Sequence, residues 1–261
     1  YLPQNIYELS EKVDCNDPID RKEEELLSII PKDRKRSYEM RDIVKLVFDK
    51  DSFFEMTKFF GKGIITGFAR INGFPVAIFA NDSNFYAGSM SAEGAQKTSR
   101  FIRLCDTFRI PIVSLVDEPG FLIGPDAERA GTILHGTEAV LATTESKVPW
   151  TTIMIRKSFG VAAAAHYGPD GYVLAWPSAE SGPLPLEGGV AVAFKKEIAS
   201  AKNPEAKRKE LEEKMAKNQS PFPRAEAFSV HEIIDPRETR KYIALWAERI
   251  QSQLKASLMN R

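Results

Sequence analysis

Short β-rich runs alternate with segments of helical periodicity between residues 63 and 175, and this alternation limits the possible folds more than any other feature. It begins with two β-rich runs, 63–71 and 74–80, joined by Asn72-Gly73. Asn-Gly in that position predicts a tight hairpin, because both residues tolerate a positive φ. Strands that then alternate with helices predict an α/β fold with a twisted, mainly parallel sheet and right-handed crossovers.

The same patterns predict the order of elements along the chain. Further strands are expected at 111–116, 150–155 and 171–175, and helices at 40–48, 91–108, 127–145, from 160 onwards, 190–217 and 236–258. Residues 1–40 are polar and contain three prolines, which is typical of short helical turns in a linker. We therefore expect a linker over 1–60 and one domain over 61–261.

Composition argues against several classes of function. The chain has 36 Lys and Arg and 36 Asp and Glu, so its net charge gives no reason to expect nucleic acid or an anionic membrane as a partner. It has no uninterrupted apolar run of about 18 residues, so no membrane span is expected. No glycine-rich phosphate loop of the G-x-x-x-x-G-K type is present, which argues against ATP chemistry.

Two cysteines, Cys15 and Cys105, are too few for a disulfide framework or a zinc cluster, so no metal site is predicted. Cys105 lies in an apolar periodic run and is expected to be a buried thiol. The chain opens at Tyr1, shows no signal or transit peptide, and is interpreted as a piece of a longer polypeptide. A cytoplasmic setting is expected, or the mitochondrial matrix if the source is eukaryotic.

Ligands of α/β folds gather at the loops that follow the carboxyl ends of strands, and the loop after the strand at 150–155 is the most informative one. There Gly160 is followed by small residues, Val161 and then Ala162 to Ala165. Small side chains at the start of a helix leave its unpaired N–H groups open to a ligand oxygen, where they can stabilise an oxyanion. The alternative is that these alanines only pack a buried helix against the sheet.

Acid–base groups are less clear from the sequence. Asp117 and Glu118 follow a predicted strand and are either a carboxylate pair for acid–base chemistry or polar residues entering a turn at Pro119-Gly120. The three histidines form no convincing Ser/His/Asp set. His166, near the small-residue helix, is either a core histidine or part of the site.

Several motifs in order carry a family resemblance. They are Ile65-Thr66-Gly67-Phe68-Ala69-Arg70, Phe101-Ile102-Arg103-Leu104-Cys105-Asp106, Asp117-Glu118-Pro119-Gly120-Phe121, Arg156-Lys157-Ser158-Phe159-Gly160 and Leu174-Ala175-Trp176-Pro177. Together they resemble the acyl-CoA carboxyltransferase family, which includes the β subunits of propionyl-CoA and methylcrotonyl-CoA carboxylases, and transcarboxylase. The resemblance covers nearly the whole chain and corresponds to the second of the family's two crotonase-like domains.

The resemblance implies a crotonase (ClpP/crotonase) fold of repeated ββα units and a carboxyl transfer from carboxybiotin to the α-carbon of an acyl-CoA. The oxyanion hole would use the backbone N–H groups of Val161 and Ala162. Phe121, Gly160 and Ala163 would also lie on the biotin side. Implied partners are the acyl-CoA, biotin carboxyl carrier and biotin carboxylase domains, the N-terminal carboxyltransferase domain and further copies of the chain.

Two departures from the family keep other functions open. Many relatives have Gly-Gly-Ala where this chain has Gly160-Val161-Ala162, so the branched Val161 is expected to narrow or reshape the biotin site. The sequence of residues 181–189 also differs from that of the relatives. A biotin-dependent decarboxylase of the same architecture is one alternative. A biotin-independent hydratase or hydrolase is another, with Glu118, Glu180 or His166 as its acid or base. A non-catalytic dimerisation half is the third.

Overall fold

The structure, a computed structural model, describes residues 1–259 apart from the side chain of Glu187. Its strands are β1 (Phe54–Met56), β2 (Ile64–Ile71), β3 (Phe74–Asn81), β4 (Ile112–Glu118), β5 (Trp150–Phe159), β6 (Tyr172–Ala175), β7 (Glu180–Gly182) and β8 (Glu232–Ile233). Its α-helices are α1 (Met40–Val47), α2 (Ala92–Phe108), α3 (Pro125–Arg129), α4 (Thr132–Thr144), α5 (Leu186–Ala193), α6 (Lys195–Ser200), α7 (Pro204–Gln219), α8 (Pro221–Glu226), α9 (Thr239–Arg249) and α10 (Gln251–Met259). Short 3₁₀ helices occupy Glu24–Leu27, Tyr86–Gly88, Ala162–His166 and Pro236–Glu238.

One mixed, mainly parallel sheet contains all of these strands, in the order β1-β2-β3-β4-β5-β6-β8, with β7 paired to the far end of β5. The strands β1 to β3 are antiparallel, and the pairings from β3 onwards are parallel. The predicted hairpin is confirmed: Asn72 and Gly73 have φ of 50° and 78°. The carboxylate of Asp49 accepts both of their N–H groups, at 2.9 and 2.8 Å, which fixes the turn.

The two faces of the sheet pack against separate hydrophobic clusters. Successive side chains of a strand point to opposite faces, so Val113 of β4 joins the cluster that contains α1 and α9, while Ile112 joins the cluster that contains α2 and α4. Within the predicted linker, α1 buries Ile43 and Val44 completely in the first cluster. The domain boundary at residue 60 stays a prediction.

The single charged helix predicted over 190–217 is wrong. The chain forms α5, α6 and α7 there, with a non-helical residue at Phe194 and a break before Pro204. Proline starts a helix readily but cannot continue one, and Asn203 caps α7 by accepting the N–H of Ala206 at 3.1 Å. The predicted helix over 127–145 is likewise divided, at Gly131, whose φ is 73°.

Both central strands are longer than predicted. β4 continues to Glu118 and β5 to Phe159, so Asp117 and Glu118 are strand residues with no exposed surface, and Glu118 directly precedes the turn at Pro119-Gly120. Polarity normally marks a strand's end, but here each carboxyl group finds its partners inside the protein. The helix predicted from 160 is the 3₁₀ helix Ala162–His166, and none of the helices within residues 1–259 is long and apolar enough to cross a bilayer.

Candidate functional site

The turn at the carboxyl end of β5 brings the predicted oxyanion-hole residues into position. Gly160 has φ of 65°, a left-handed conformation that favours glycine, and its own N–H donates to the carbonyl of Gly182 at 3.1 Å. The chain then turns at Val161 into the 3₁₀ helix. This geometry directs the first N–H groups of that helix away from the sheet's own hydrogen bonds.

Within residues 1–259, three consecutive N–H groups, those of Val161, Ala162 and Ala163, donate no hydrogen bond of normal length and angle. The next one, of Ala164, donates back to the carbonyl of Val161 at 3.0 Å. Ala162 is completely buried, so its N–H is an orphaned donor of the kind that costs free energy until an acceptor reaches it. The exposed surface of the segment lies at Val161 and Ala163, so their N–H groups are the ones open to a ligand oxygen.

The other end of the 3₁₀ helix is held firmly. The hydroxyl of Thr143 donates to the carbonyl of Ala165 at 2.9 Å, and that of Thr152 donates to the carbonyl of His166 at 2.8 Å. The His166 ring also stacks on Phe79, with 4.2 Å between ring centroids. These contacts fix the open donors in place before any ligand binds, which is what oxyanion stabilisation requires.

A cavity of about 280 Å³ lies beside this segment. Its lining is Met154, Ser158, Gly160, Ala163, Ala164, Tyr167, Ser181, Gly182, Arg224, Ser229 and Val230. The hydroxyls of Ser158 and Tyr167 lie 2.7 Å apart, and Nε of Arg224 donates to Oγ of Ser181 at 3.0 Å. Burial raises the pKa of Tyr167 to about 12, so its phenol stays protonated.

The polar wall of this cavity was not found from the sequence. Ser158, Tyr167, Ser181 and Arg224 come from four separate stretches, and no spacing links them. The Val161 side chain is largely exposed and does not line the cavity. The effect of its branched side chain on a biotin site stays a prediction.

Phe121 lies apart from the cavity. Its ring packs on α4 at Gly136, where even a Cβ atom would come within 2.4 Å of the ring. Its backbone bridges to Met90, whose carbonyl accepts the N–H of Leu122 at 2.9 Å. Of the predicted site residues, Gly160 and Ala163 line this cavity, Val161 and Ala162 lie between them in the chain without lining it, and Phe121 lies apart from it.

Glu118 and His166 lie behind the site and are both completely buried. Glu118 accepts the N–H of Gly120 and the side-chain amide of Asn81, each at 2.9 Å. Desolvation raises the pKa of Glu118 to about 8 and lowers the pKa of His166 to about 3, so both groups are neutral near pH 7. Nε2 of His166 lies 3.7 Å from Oε2 of Glu118.

Asp117, by contrast, belongs to a structural ion pair. Arg156 donates to its carboxylate from Nε at 3.1 Å and from Nη2 at 2.8 Å, and the N–H of Lys157 donates to it at 3.0 Å. The guanidinium of Arg156 lies 4.7 Å from the ring centroid of Tyr38. Glu180, the third carboxylate considered above, forms an ion pair with Arg34.

Comparison with known proteins assigns the chain to a protein family. Residues 1–260 match the model of the carboxyl transferase domain. The chain belongs to the carboxyl transferase family. This family membership confirms the resemblance found in the sequence, and nearly the whole chain takes part in it.

Several relatives share more than a third of this chain's residues. The carboxyltransferase subunit of propionyl-CoA carboxylase from Haloferax mediterranei is 37% identical over 98% of the chain and 50% of its own length. The α subunit of methylmalonyl-CoA decarboxylase from Propionigenium modestum is 36% identical over 93% of the chain and 48% of its own length. The chain therefore spans about half the length of the carboxyl transferase relatives it matches.

Solved structures of the family have the same fold. The transcarboxylase 12S subunit, studied as a hexamer with methylmalonyl-coenzyme A and methylmalonic acid bound, superposes with a TM-score of 0.90 at 35% identity, over 96% of this chain and 49% of that one. The geranyl-CoA carboxylase β subunit of P. aeruginosa gives 0.81 at 25% identity, over 98% of this chain and 48% of its own. These carboxyltransferases have the crotonase fold, and the predicted fold is confirmed.

Proposed function

We propose that this chain is the biotin-side half of an acyl-CoA carboxyltransferase, which moves a carboxyl group from carboxybiotin to the α-carbon of an acyl-CoA. The observation that carries the proposal is the run of three N–H donors without an acceptor, at Val161, Ala162 and Ala163, next to a cavity. The family match supports it independently.

The residues present fit biotin, which would arrive on a separate carrier. Biotin supplies the carboxyl group and a ureido oxygen that accepts hydrogen bonds. The orphaned N–H of Ala162 needs such an acceptor, and the neighbouring donors of Val161 and Ala163 add to it. Arg224 supplies a cation at the opposite wall, which attracts a carboxylate, and Tyr167 remains a neutral hydrogen-bonding group.

The cavity wall also bears on the choice between reactions. None of the residues that line it is Asp, Glu or His, and its titratable groups are the phenol of Tyr167 and the guanidinium of Arg224, neither of which acts as a base near pH 7. Hydration and hydrolysis of an acyl-CoA both need such a base. Carboxyl transfer needs mainly the stabilisation of negative charge on oxygen, which the backbone N–H groups provide.

The rest of the site is proposed to lie outside this chain. Because the chain spans half of its relatives, we assign the acyl-CoA to an N-terminal carboxyltransferase domain of a second copy, and carboxybiotin delivery to carrier and biotin carboxylase domains. Phe121 is assigned to the biotin side of that assembled site. A cytoplasmic or mitochondrial-matrix homo-oligomer is proposed, and the isolated chain is expected to carboxylate acyl-CoA very poorly.

A biotin-dependent decarboxylase is the second candidate function. The similarity to the methylmalonyl-CoA decarboxylase α subunit of Propionigenium modestum favours it. The same donors would serve the transfer in the opposite direction, from the acyl-CoA to biotin. Measuring which direction runs to completion with the full enzyme separates the two functions.

Replacing Val161 by proline tests the oxyanion hole. Val161 has φ of −69°, which suits proline, so Val161→Pro mainly deletes one N–H donor. In the carboxyltransferase that contains this chain, we expect kcat for carboxyl transfer to fall by about 10² to 10³-fold, as for other oxyanion donors. Val161→Ala keeps the N–H and is the matched control. Normal turnover by a folded Val161→Pro enzyme would contradict the assignment.

A further inference from the structure

The buried side chains of Glu118 and His166 lie close together at the ends of two elements that lead to the proposed site. His166 is the last residue of the 3₁₀ helix that starts with the open N–H groups, and Glu118 is the last residue of β4. Neither side chain lines the cavity, and neither has exposed surface. They therefore cannot touch a substrate there, but they can hold the segment that does.

The hydrogen bonds around the pair leave one position open. Nδ1 of His166 lies 2.8 Å from Oγ of Ser114, and no atom among residues 1–259 forms a hydrogen bond with Nε2. Oε2 of Glu118, at 3.7 Å, is the group that faces Nε2. A separation of 3.7 Å is too short for a bridging water, so any bond between them must be direct.

We infer that Glu118 and His166 form a neutral, proton-sharing pair in which the carboxylic acid of Glu118 donates to Nε2 of His166 and so positions the Ala162–His166 helix and its oxyanion-binding N–H groups. Closing the distance to hydrogen-bond length requires a shift of under about 1 Å. Glu118 can still accept the amide of Asn81 on the same oxygen, since a protonated carboxyl oxygen both donates and accepts.

The inference fixes the protonation of the whole group. If Nε2 accepts, the neutral imidazole carries its proton on Nδ1, which then donates to Oγ of Ser114. Glu118 and His166 are positioning residues for the transfer reaction proposed above, and this role rests on that proposed function. The pair itself is a property of the fold and is testable without any substrate.

Burial outweighs the hydrogen bonds that the neighbours of Glu118 donate to it. Facing it are Asp117 from its own strand, Asn81 at the end of β3, the backbone of Gly120 and Met90, and His166 from the 3₁₀ helix. Of these Asp117 is a like charge, and it is already paired with Arg156. Desolvation is the largest influence and raises the pKa of Glu118 to about 8. Above that pH Glu118 can no longer donate to Nε2, and the inferred hydrogen bond is lost.

Nitrogen NMR of the chain tests the pair directly. With three histidines in the sequence, the ring signals of His166 can be assigned by comparison with His166→Phe. Near pH 7 we expect Nδ1 to be protonated and Nε2 to be unprotonated. As the pH is raised, the chemical shifts of both nitrogens should change with a midpoint near pH 8. Glu118→Gln should remove that change. Glu145→Gln, at an exposed site, is the matched control and should change neither. A proton on Nε2 at neutral pH would overturn the inference.

Kinetics of the full carboxyltransferase test the positioning role. We expect the alkaline decline of kcat to have a component near pH 8 that is absent in Glu118→Gln, which keeps an N–H for His166 but loses the acceptor for Asn81. Glu118→Met, which leaves Nε2 without a partner, should lower kcat about tenfold with little change in KM. Glu118→Gln should restore most of that loss.

The two experiments separate the possible failures. If NMR shows the pair but the enzyme performs no carboxyl transfer, the proposed function fails and the pair stands. If transfer proceeds and Glu118→Met has normal kcat and an unchanged pH profile, the positioning role is wrong. A loss of about 10³-fold in Glu118→Gln would instead make Glu118 a direct acid or base, contrary to the inference.

Discussion

Two adjacent carboxyl groups at the end of β4, those of Asp117 and Glu118, lie on opposite faces of the sheet and have different surroundings. Asp117 points to the face of α1 and α9, where Arg156 meets it with two nitrogens and the N–H of Lys157 adds a third bond. Glu118 points to the face of α2 and α4, where its neighbours are an amide, a backbone N–H and a neutral imidazole. Both side chains are completely buried.

Burial alone therefore does not decide whether a carboxyl group keeps its charge. For Asp117, a cation of matching geometry, Arg156, compensates for the lost hydration. Glu118 has no comparable compensation in its described contacts, and burial keeps it protonated. The first arrangement ties strands together, while the second lies directly behind the segment Val161 to Ala163 that we propose as the oxyanion hole.

Breaking the ion pair should have the largest effect. Arg156→Met leaves Asp117 buried without its cation, and we expect the free energy of unfolding at pH 7 to fall by about 3 to 5 kcal/mol. Urea denaturation measures it. Arg129→Met, which removes an exposed partner of Asp126, is the matched control and should cost under about 1 kcal/mol. Equal losses in the two variants would mean that the buried pair contributes no more than a surface contact.

Glu118→Gln should raise the free energy of unfolding, where Arg156→Met lowers it, and the gain should depend on pH. Because the pKa of Glu118 is raised from 4.5 to about 8 on folding, its contribution to stability is full below about pH 4.5 and is lost as the pH rises towards 8. Glutamine has no proton to lose. Relative to the native chain, the variant should therefore gain about 2 kcal/mol between pH 5 and pH 7. A constant difference across that range would show that Glu118 is ionised in the folded protein.

His166→Phe should have the smallest effect on the free energy of unfolding, and that effect should appear below pH 6.5. The pKa of His166 falls from 6.5 to about 3 on folding, so its contribution to stability is full above pH 6.5 and is lost as the pH falls. Phenylalanine keeps the ring that stacks on Phe79 and cannot titrate. Between pH 6.5 and 5.5 the native chain should lose about 1 kcal/mol more than the variant. Parallel unfolding curves at the two pH values would place a protonated histidine in the folded core.

Local patterns in the sequence predicted much of the fold and part of the site. Asn72-Gly73 located the hairpin, and the small residues after Gly160 directed attention to the turn at the end of β5, because each signal depends only on neighbouring residues. Glu118 was ambiguous, since a polar residue after an apolar strand is also typical of a turn. Its interpretation depends on Asn81 and His166, which are 37 and 48 residues away in the chain.

The cavity shows the same limit. Arg224 reaches Oγ of Ser181 across 43 residues of sequence, and the path between them contains α5, α6 and α7, which the sequence patterns predicted as one helix. No periodicity or spacing links a cation on one short helix to a hydroxyl on a distant strand. Such contacts are set by tertiary packing and become visible only in the structure.

Amide signals of the open segment test the central assignment most directly. As free biotin is added to the chain, the N–H resonances of Val161, Ala162 and Ala163 should move downfield and saturate, because these donors gain an acceptor. Those of Gly160 and Ala164, already bonded to Gly182 and Val161, should move much less. Equal shifts at all five positions, or none at the three open donors, would contradict an oxyanion hole at this turn.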